Sequence, residues 1–177
     1  MTPVGHSLMG LAIGCAVTPR AFSRTATCVT LATFVLLANG PDWPLPGWGH
    51  DRYDISHSLF VTAALVTALI AAAAWALRGT PWFSWGLLFG GAVAWFSHLL
   101  LDTLYDGRKG LAMFWPLSNA RVSLPVSFFH TMKLSPLWSG HNARVFAAEG
   151  LVYGSILAVV LLGRFLAERS SSRHRRR

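Results

Sequence analysis

The chain has 177 residues, of which 53% are hydrophobic and only 12% are charged. A soluble domain carries about 25% charged residues, so this composition excludes an ordinary soluble protein. The formal net charge is +8, but five arginines lie within the last nine residues, so the remainder of the chain is only weakly basic.

Five apolar helices are predicted in chain order. Their predicted bounds are residues 6–17, 25–38, 56–77, 82–105 and 144–168. The first two end at strong stop signals, Thr18-Pro19 and Asn39-Gly40-Pro41, and each is only about 20 Å long. The other three contain apolar runs that can cross a hydrocarbon core of roughly 30 Å. The sequence therefore predicts an all-α, multi-pass integral membrane bundle with three full spans and two short N-terminal helices.

The domain organisation follows from the polar segments between the apolar ones. Residues 1–168 are predicted to form one membrane-embedded domain, with polar loops at 39–55 and 106–143. Residues 169–177 (RSSSRHRRR) are predicted to be a disordered basic tail. A basic tail directly after an apolar segment is more often a cytoplasmic anchor on anionic lipid than a nucleic-acid-binding element. We therefore expect membrane lipids as partners, and no specific nucleic acid.

Arginine placement predicts the sidedness of the membrane domain. If the tail is cytoplasmic, alternation of the spans places Arg20, Arg24 and Arg78 on the cytoplasmic side, and the two polar loops on the opposite side. The 106–143 loop argues against this topology, because it carries four basic residues and one acidic residue, Asp106, whereas basic residues are normally enriched in cytoplasmic loops. Those basic residues are Arg108, Lys109, Arg121 and Lys133. An anion-binding site would account for them, and so would an inverted topology.

The strongest local signal for a site is His98-Leu-Leu-Leu-Asp102. Residues at i and i+4 share one helix face, so both side chains can bind one cation. A simple His–Asp hydrogen bond inside the bundle is the structural alternative. Ionisable residues within membrane helices are functional by default, which favours a metal site here.

Other polar residues are expected at the same end of the bundle. His6 begins the first helix, Asp42 follows the second, and His57 begins the third after Ser56 as the predicted N-cap. A turn-forming aspartate and an interfacial histidine are the structural alternatives for Asp42 and His57. Asp54 could be a further ligand, a carboxylate that orients His57, or a general base.

Five short motifs lie in order along the chain: His6-Ser7, Pro41-Asp42, Ser56-His57-Ser58-Leu59, His98-Leu99-Leu100-Leu101-Asp102 and Trp115-Pro116. Together they resemble the YdjM-type family of bacterial inner-membrane, predicted metal-dependent hydrolases. The resemblance runs from residue 6 to about residue 125. It implies a multi-pass helical protein of the inner membrane with His and Asp metal ligands. Carried over by position, the ligands are His6, Asp42, His57, His98 and Asp102. Family members often have His-Arg-Gly-x-Thr before the second histidine, where this chain has Arg52-Tyr53-Asp54-Ile55-Ser56.

Three histidines and two aspartates suit a borderline divalent ion, with Zn²⁺ first and Mn²⁺ or Fe²⁺ as alternatives. We expect a hydrolase that uses metal-activated water on a lipid or another interfacial substrate, such as a phosphoester. Asp54 is the predicted base, and Arg121 is predicted to bind an anionic group of the substrate. Glu149, in the first turns of the fifth helix, could complete the site, pair with Arg144 or simply benefit from the N-terminus of its own helix. A cation-binding or transport protein without hydrolase activity is the alternative function.

Overall fold

The computed structural model describes residues 2–49, 52–106, 110–124 and 128–174. Within these ranges the regular elements are helices. They are α1 (Pro3–Val17), α2 (Arg24–Asn39), a 3₁₀ turn (Gly40–Asp42), α3 (Tyr53–Ser56), α4 (Leu59–Leu77), α5 (Trp85–Asp102) and α6 (Gly140–His174). The described part of the 106–143 loop contributes only two isolated β-bridges, Tyr105 with Phe129 and Leu111 with Val122.

The prediction of an all-α membrane bundle is confirmed. Among the described residues, three helices are long and apolar enough to cross a membrane, namely Leu59–Leu77, Trp85–Asp102 and Gly140–Ser170. A shorter apolar helix, Pro3–Val17, packs inside the bundle against α2, α5 and α6. Because α1 is too short to span alone, its position depends on these three neighbours.

Small residues allow α1 to approach α2 closely. A Cβ atom on Gly10 would lie 2.7 Å from the backbone carbonyl oxygen of Phe34, and a Cβ atom on Gly14 would lie 3.0 Å from the side chain of Phe34. Glycines four residues apart present a flat face to a neighbouring helix, which is how membrane helices commonly pack. This contact fixes the distance between α1, which carries His6, and α2, which leads into the 3₁₀ turn with Asp42.

The start of the third predicted helix is wrong. Ser56 does not cap a helix over 56–77, because it ends the separate short helix α3. The N-cap of α4 is Ser58, whose hydroxyl accepts a hydrogen bond from the amide of Val61 at 3.3 Å. The hydroxyl of Ser56 is already engaged with the carbonyl of Gly49 at 3.2 Å. His57 therefore lies in the junction between two helices and not in a first helical turn.

The ends of the last two helices also differ from prediction. α5 begins at Trp85 after its N-cap Ser84 and ends at Asp102. α6 begins at Gly140 and continues to His174, so the helix extends past its predicted end at residue 168, and the disorder of the tail stays a prediction. No Gly or Pro follows residue 163 to stop the helix, and the guanidinium of Arg169 lies 4.3 Å from the ring centre of Phe165, one turn earlier. Residues 175–177 lie outside the described part of the chain.

The bundle has two distinct ends. At one end the turn after α1 contacts the turn before α5 through the rings of Phe22 and Trp82, with 5.4 Å between centroids. Arg20 and Glu168 form an exposed ion pair at this end, with 3.7 Å between Nε and Oε1. The start of α1 and the ends of α2 and α5 lie at the opposite end, which is called the site end below.

Candidate metal centre

Four separate segments bring five ionisable side chains together at the site end. α1 supplies His6, the 3₁₀ turn supplies Asp42, the α3–α4 junction supplies His57, and α5 supplies His98 and Asp102. His6, His57, His98 and Asp102 are at most 2% exposed, and the side chain of Asp42 is 17% exposed. We call these five residues the His/Asp cluster.

The donor atoms of the His/Asp cluster lie close together. His57 Nε2 is 3.2 Å from His98 Nε2, 3.4 Å from Asp42 Oδ1 and 3.6 Å from Asp102 Oδ2. His98 Nε2 is 3.6 Å from Asp42 Oδ2 and 3.9 Å from Asp102 Oδ2. His6 Nε2 is 3.5 Å from Asp102 Oδ1. One ligand atom from each of His6, Asp42, His98 and Asp102 lies within 4.8 Å of the other three.

These separations fit a metal ion. Bonds of 2.0–2.2 Å from a tetrahedral Zn²⁺ to nitrogen and oxygen place neighbouring donor atoms about 3.4 Å apart. The observed distances of 3.2–3.9 Å lie around that value. Two imidazole nitrogens, one from His57 and one from His98, face each other among carboxylate oxygens. The donor set therefore offers both the chemistry and the spacing that a divalent cation needs.

The second nitrogens of two histidines are held by neighbouring oxygens. His98 Nδ1 lies 2.9 Å from the carbonyl of Ala38, which can only accept, so Nδ1 carries the proton. His57 Nδ1 lies 2.8 Å from the hydroxyl of Ser56, which itself donates to Gly49. Both arrangements leave the Nε2 lone pair directed into the His/Asp cluster. Oxygen partners of this kind orient metal-binding histidines and fix their tautomers.

His6 shows the clearest sign of a missing partner. Its side chain is 1% exposed, and neither of its ring nitrogens has a hydrogen-bond partner among the described residues. Its ring stacks on that of His98, with 3.7 Å between centroids and 10° between planes. Burying an unsatisfied polar group costs about 1–3 kcal/mol, and native structures retain few such groups. A cation in the cluster would satisfy one nitrogen.

Electrostatics inside the cluster favour charged carboxylates. Burial alone would raise the pKa of Asp42, but hydrogen bonds from His57 and His98 outweigh it and lower the pKa. Burial would lower the pKa of His57, but hydrogen bonds to Asp102 and Asp42 outweigh it and raise the pKa. The two buried carboxylates therefore favour a positive charge beside them, either as a proton on His57 Nε2 or as a bound cation that replaces that proton.

The structure adds Tyr53 to the site and places Asp54 outside the cluster. The hydroxyl of Tyr53 donates to Asp102 Oδ2 at 3.0 Å, and its ring stacks on His57 with 3.7 Å between centroids. The Asp54 carboxylate instead accepts from Arg52 at 3.3 Å, which is the main reason that its pKa is lowered. Tyr53 lies four residues before His57, and this spacing was the available signal for it. The role of Asp54 as a base stays a prediction.

The basic residues predicted to bind an anion are only partly described. Arg121 is exposed and its Nη1 donates to the carbonyl of Gly110 at 3.1 Å, so its role stays a prediction. Arg108 and Lys109 lie outside the described residues. Glu149 is fully buried and contacts the start of α1, and among the described residues no hydrogen bond joins it to the donor atoms of the cluster.

Comparison with known proteins gives one match. No curated protein sequence and no solved structure matches the chain. The model of the YdjM inner membrane protein family matches residues 1–171, which include all five residues of the His/Asp cluster. The description of that family gives a location and no activity. The chain belongs to the YdjM inner membrane protein family.

Proposed function

We propose that this protein is a membrane-embedded metal-dependent hydrolase that acts on a lipid or another amphipathic substrate, with Zn²⁺ as the first choice of metal. The observation that supports it is the buried His/Asp cluster, in which neither ring nitrogen of His6 has a hydrogen-bond partner within the described part of the chain. A divalent cation bound there would lower the pKa of a water molecule and polarise the bond to be cleaved.

The residues of the cluster have different expected tasks. When neutral, His57 and His98 present Nε2 lone pairs to the cluster, because their Nδ1 atoms are hydrogen-bonded to the Ser56 hydroxyl and the Ala38 carbonyl, respectively. Asp102 is held in place by the hydroxyl of Tyr53. The side chain of Asp42 is the most exposed of the five, so a substrate would approach beside it. The cluster is thus closed on the bundle side and open at one carboxylate.

A lipid substrate is supported by an apolar cavity that extends from Trp82, at the end of the bundle opposite the cluster, to Trp95, one helical turn before His98. The cavity has a volume of about 360 Å³ and lies between α2, α4 and α5, two of which are long enough to span a membrane. Trp95 lines its wall and packs on Gly40, two residues before Asp42. Its lining on α5 extends from Leu87 to Trp95, about 12 Å along the helix axis. An acyl chain in this cavity would come within one helical turn of His98 at Trp95.

A hydrolysis assay on the full chain in detergent tests this function. The probes are phosphatidylglycerol and bis(p-nitrophenyl) phosphate, with and without a chelator. We expect turnover by wild type, its loss in His98→Ala and with chelator, and recovery when Zn²⁺ is restored. The matched control is His130→Ala, since His130 is an exposed histidine outside the cluster. Metal-bound protein without turnover on either phosphoester would refute the phosphoesterase form of the proposal and favour cation binding or transport.

A further inference from the structure

Glu149 is a fully buried carboxylate on α6 that binds the start of α1. Its Oε1 accepts from the amide of Thr2 at 3.0 Å, and its Oε2 accepts from the amide of Gly5 at 3.2 Å and from the hydroxyl of Thr2. The first amides of a helix have no partners within the helix, and a negative charge beside them is favourable. Glu149 therefore caps α1 from another helix, 147 residues away in sequence.

The other end of α1 is bound by the same helix. Arg164 Nη1 donates to the carbonyl of Thr18 at 2.8 Å and to that of Cys15. Glu149 and Arg164 are 15 residues apart on α6, which is about 22 Å, and α1 is itself 15 residues long. α6 thus holds α1 at both ends with charges that match its dipole.

This arrangement bears directly on His6, which follows Gly5. Neither ring nitrogen of His6 has a hydrogen-bond partner in residues 2–49, 52–106, 110–124 and 128–174, so no hydrogen bond seen there fixes the position of the ring. Its recorded contacts to the cluster are the stack on His98 and the 3.5 Å approach to Asp102. The position of its backbone along the bundle axis is set by the cap at Gly5 and by the packing of α1.

We propose that Glu149 is the positioning residue for His6, holding the first turn of α1 at the height where the imidazole meets the cluster. It acts through the backbone and does not bind the metal. The proposal rests on the proposed metal site for its functional meaning, because His6 needs a fixed position only if it is a ligand. Partners that orient a ligand typically change metal affinity by about 10–100-fold when they are removed.

The test compares variants of the full chain by Zn²⁺ titration and by thermal unfolding of the metal-free protein. Glu149→Gln is expected to lower Zn²⁺ affinity by about 10–100-fold. In a His6→Ala background the same change is expected to have no further effect on affinity, since its route is through His6. Glu168→Gln, on the same helix and at the other end of the bundle, is the matched control and should leave affinity unchanged.

Arg164→Gln separates positioning from general loosening. It removes the other cap of α1 and is expected to lower the unfolding temperature while changing Zn²⁺ affinity less than twofold. Equal losses of affinity in Glu149→Gln and Arg164→Gln, or additive losses with His6→Ala, would overturn the proposal. If Glu149→Gln does not fold, Thr2→Val removes one hydrogen-bond partner of the carboxylate. It is expected to lower Zn²⁺ affinity in the same way but by a smaller factor.

A readout without metal distinguishes this proposal from the proposed function. Histidine-selective NMR of the metal-free protein reports the surroundings of the His6 ring, whose signal is assigned by its loss in His6→Ala. The signal should shift in Glu149→Gln and not in Glu168→Gln. A shift in a protein that binds no metal would support the positioning role and refute the metal site. An unshifted signal in a metal-binding protein would refute the positioning role alone.

Discussion

Replacing His6 by leucine should stabilise the metal-free protein while weakening metal binding. The substitution keeps a buried side chain of similar length but removes two ring nitrogens that have no hydrogen-bond partner among the described residues. A residue retained at a cost to stability is typical of a functional site, where activity and stability compete. The two opposite effects together make this variant informative.

The magnitude follows from two contributions. Removing the unsatisfied nitrogens gains about 1–3 kcal/mol. Losing the stack on His98, with 3.7 Å between centroids, costs about 0.5–1.5 kcal/mol. The net expectation is a stabilisation of about 1 kcal/mol, which raises the unfolding temperature of a chain of this size by about 2–4 °C.

Thermal unfolding in detergent measures this effect in the presence of chelator and again with excess Zn²⁺. We expect His6→Leu to unfold at a higher temperature than wild type with chelator, and to gain less from Zn²⁺. His130→Leu is the matched control and should show no change in its response to Zn²⁺, because His130 is exposed and pairs with Asp106. Metal-free His6→Leu that unfolds well below wild type would show that His6 is a structural residue and would refute the reasoning.

Three further predictions concern the residues around the cluster. Gly40→Ala should destabilise the protein by about 1–3 kcal/mol and lower its Zn²⁺ affinity. A Cβ atom at this position would lie 2.3 Å from an indole carbon of Trp95, so the turn that carries Asp42 must shift. Thermal unfolding measures the first effect and Zn²⁺ titration the second. Ser56→Ala should lower Zn²⁺ affinity by about 10–100-fold by removing the oxygen that holds the His57 ring, and an unchanged affinity would contradict that role. Ala73→Phe should fill the apolar cavity and block photo-crosslinking by a phospholipid with a mid-chain diazirine. The control Ala72→Phe changes a neighbouring residue outside the cavity lining and should leave crosslinking unchanged. Equal labelling of both variants would count against an acyl-chain site.

The membrane helices and the end of the bundle that carries the His/Asp cluster can be predicted from the sequence. Uncharged runs and the stop signal at Asn39-Gly40-Pro41 depend on local chemistry, so they could be recognised without a structure. Up-and-down alternation was enough to place His6, Asp42 and His98 together, and the structure brings their donor atoms within 4.8 Å. That these residues bind metal stays a prediction.

The details that sequence did not predict depend on competition and on packing. Ser56 and Ser58 are equally suitable caps on either side of His57, and only their surroundings decide which of them begins α4. The hydrogen bonds from Tyr53 to Asp102 and from Thr2 to Glu149 join residues 49 and 147 positions apart. Such contacts follow from how the helices pack, which no local pattern encodes.

Metal analysis of the purified protein tests the central claim most directly. The full chain is purified without added metal, exposed in turn to Zn²⁺, Mn²⁺ and Fe²⁺, and washed before elemental analysis. We expect about one equivalent of metal in wild type, as for a single cluster, and its loss in His98→Ala and Asp102→Asn. Folded wild-type protein that retains none of the three metals would contradict it.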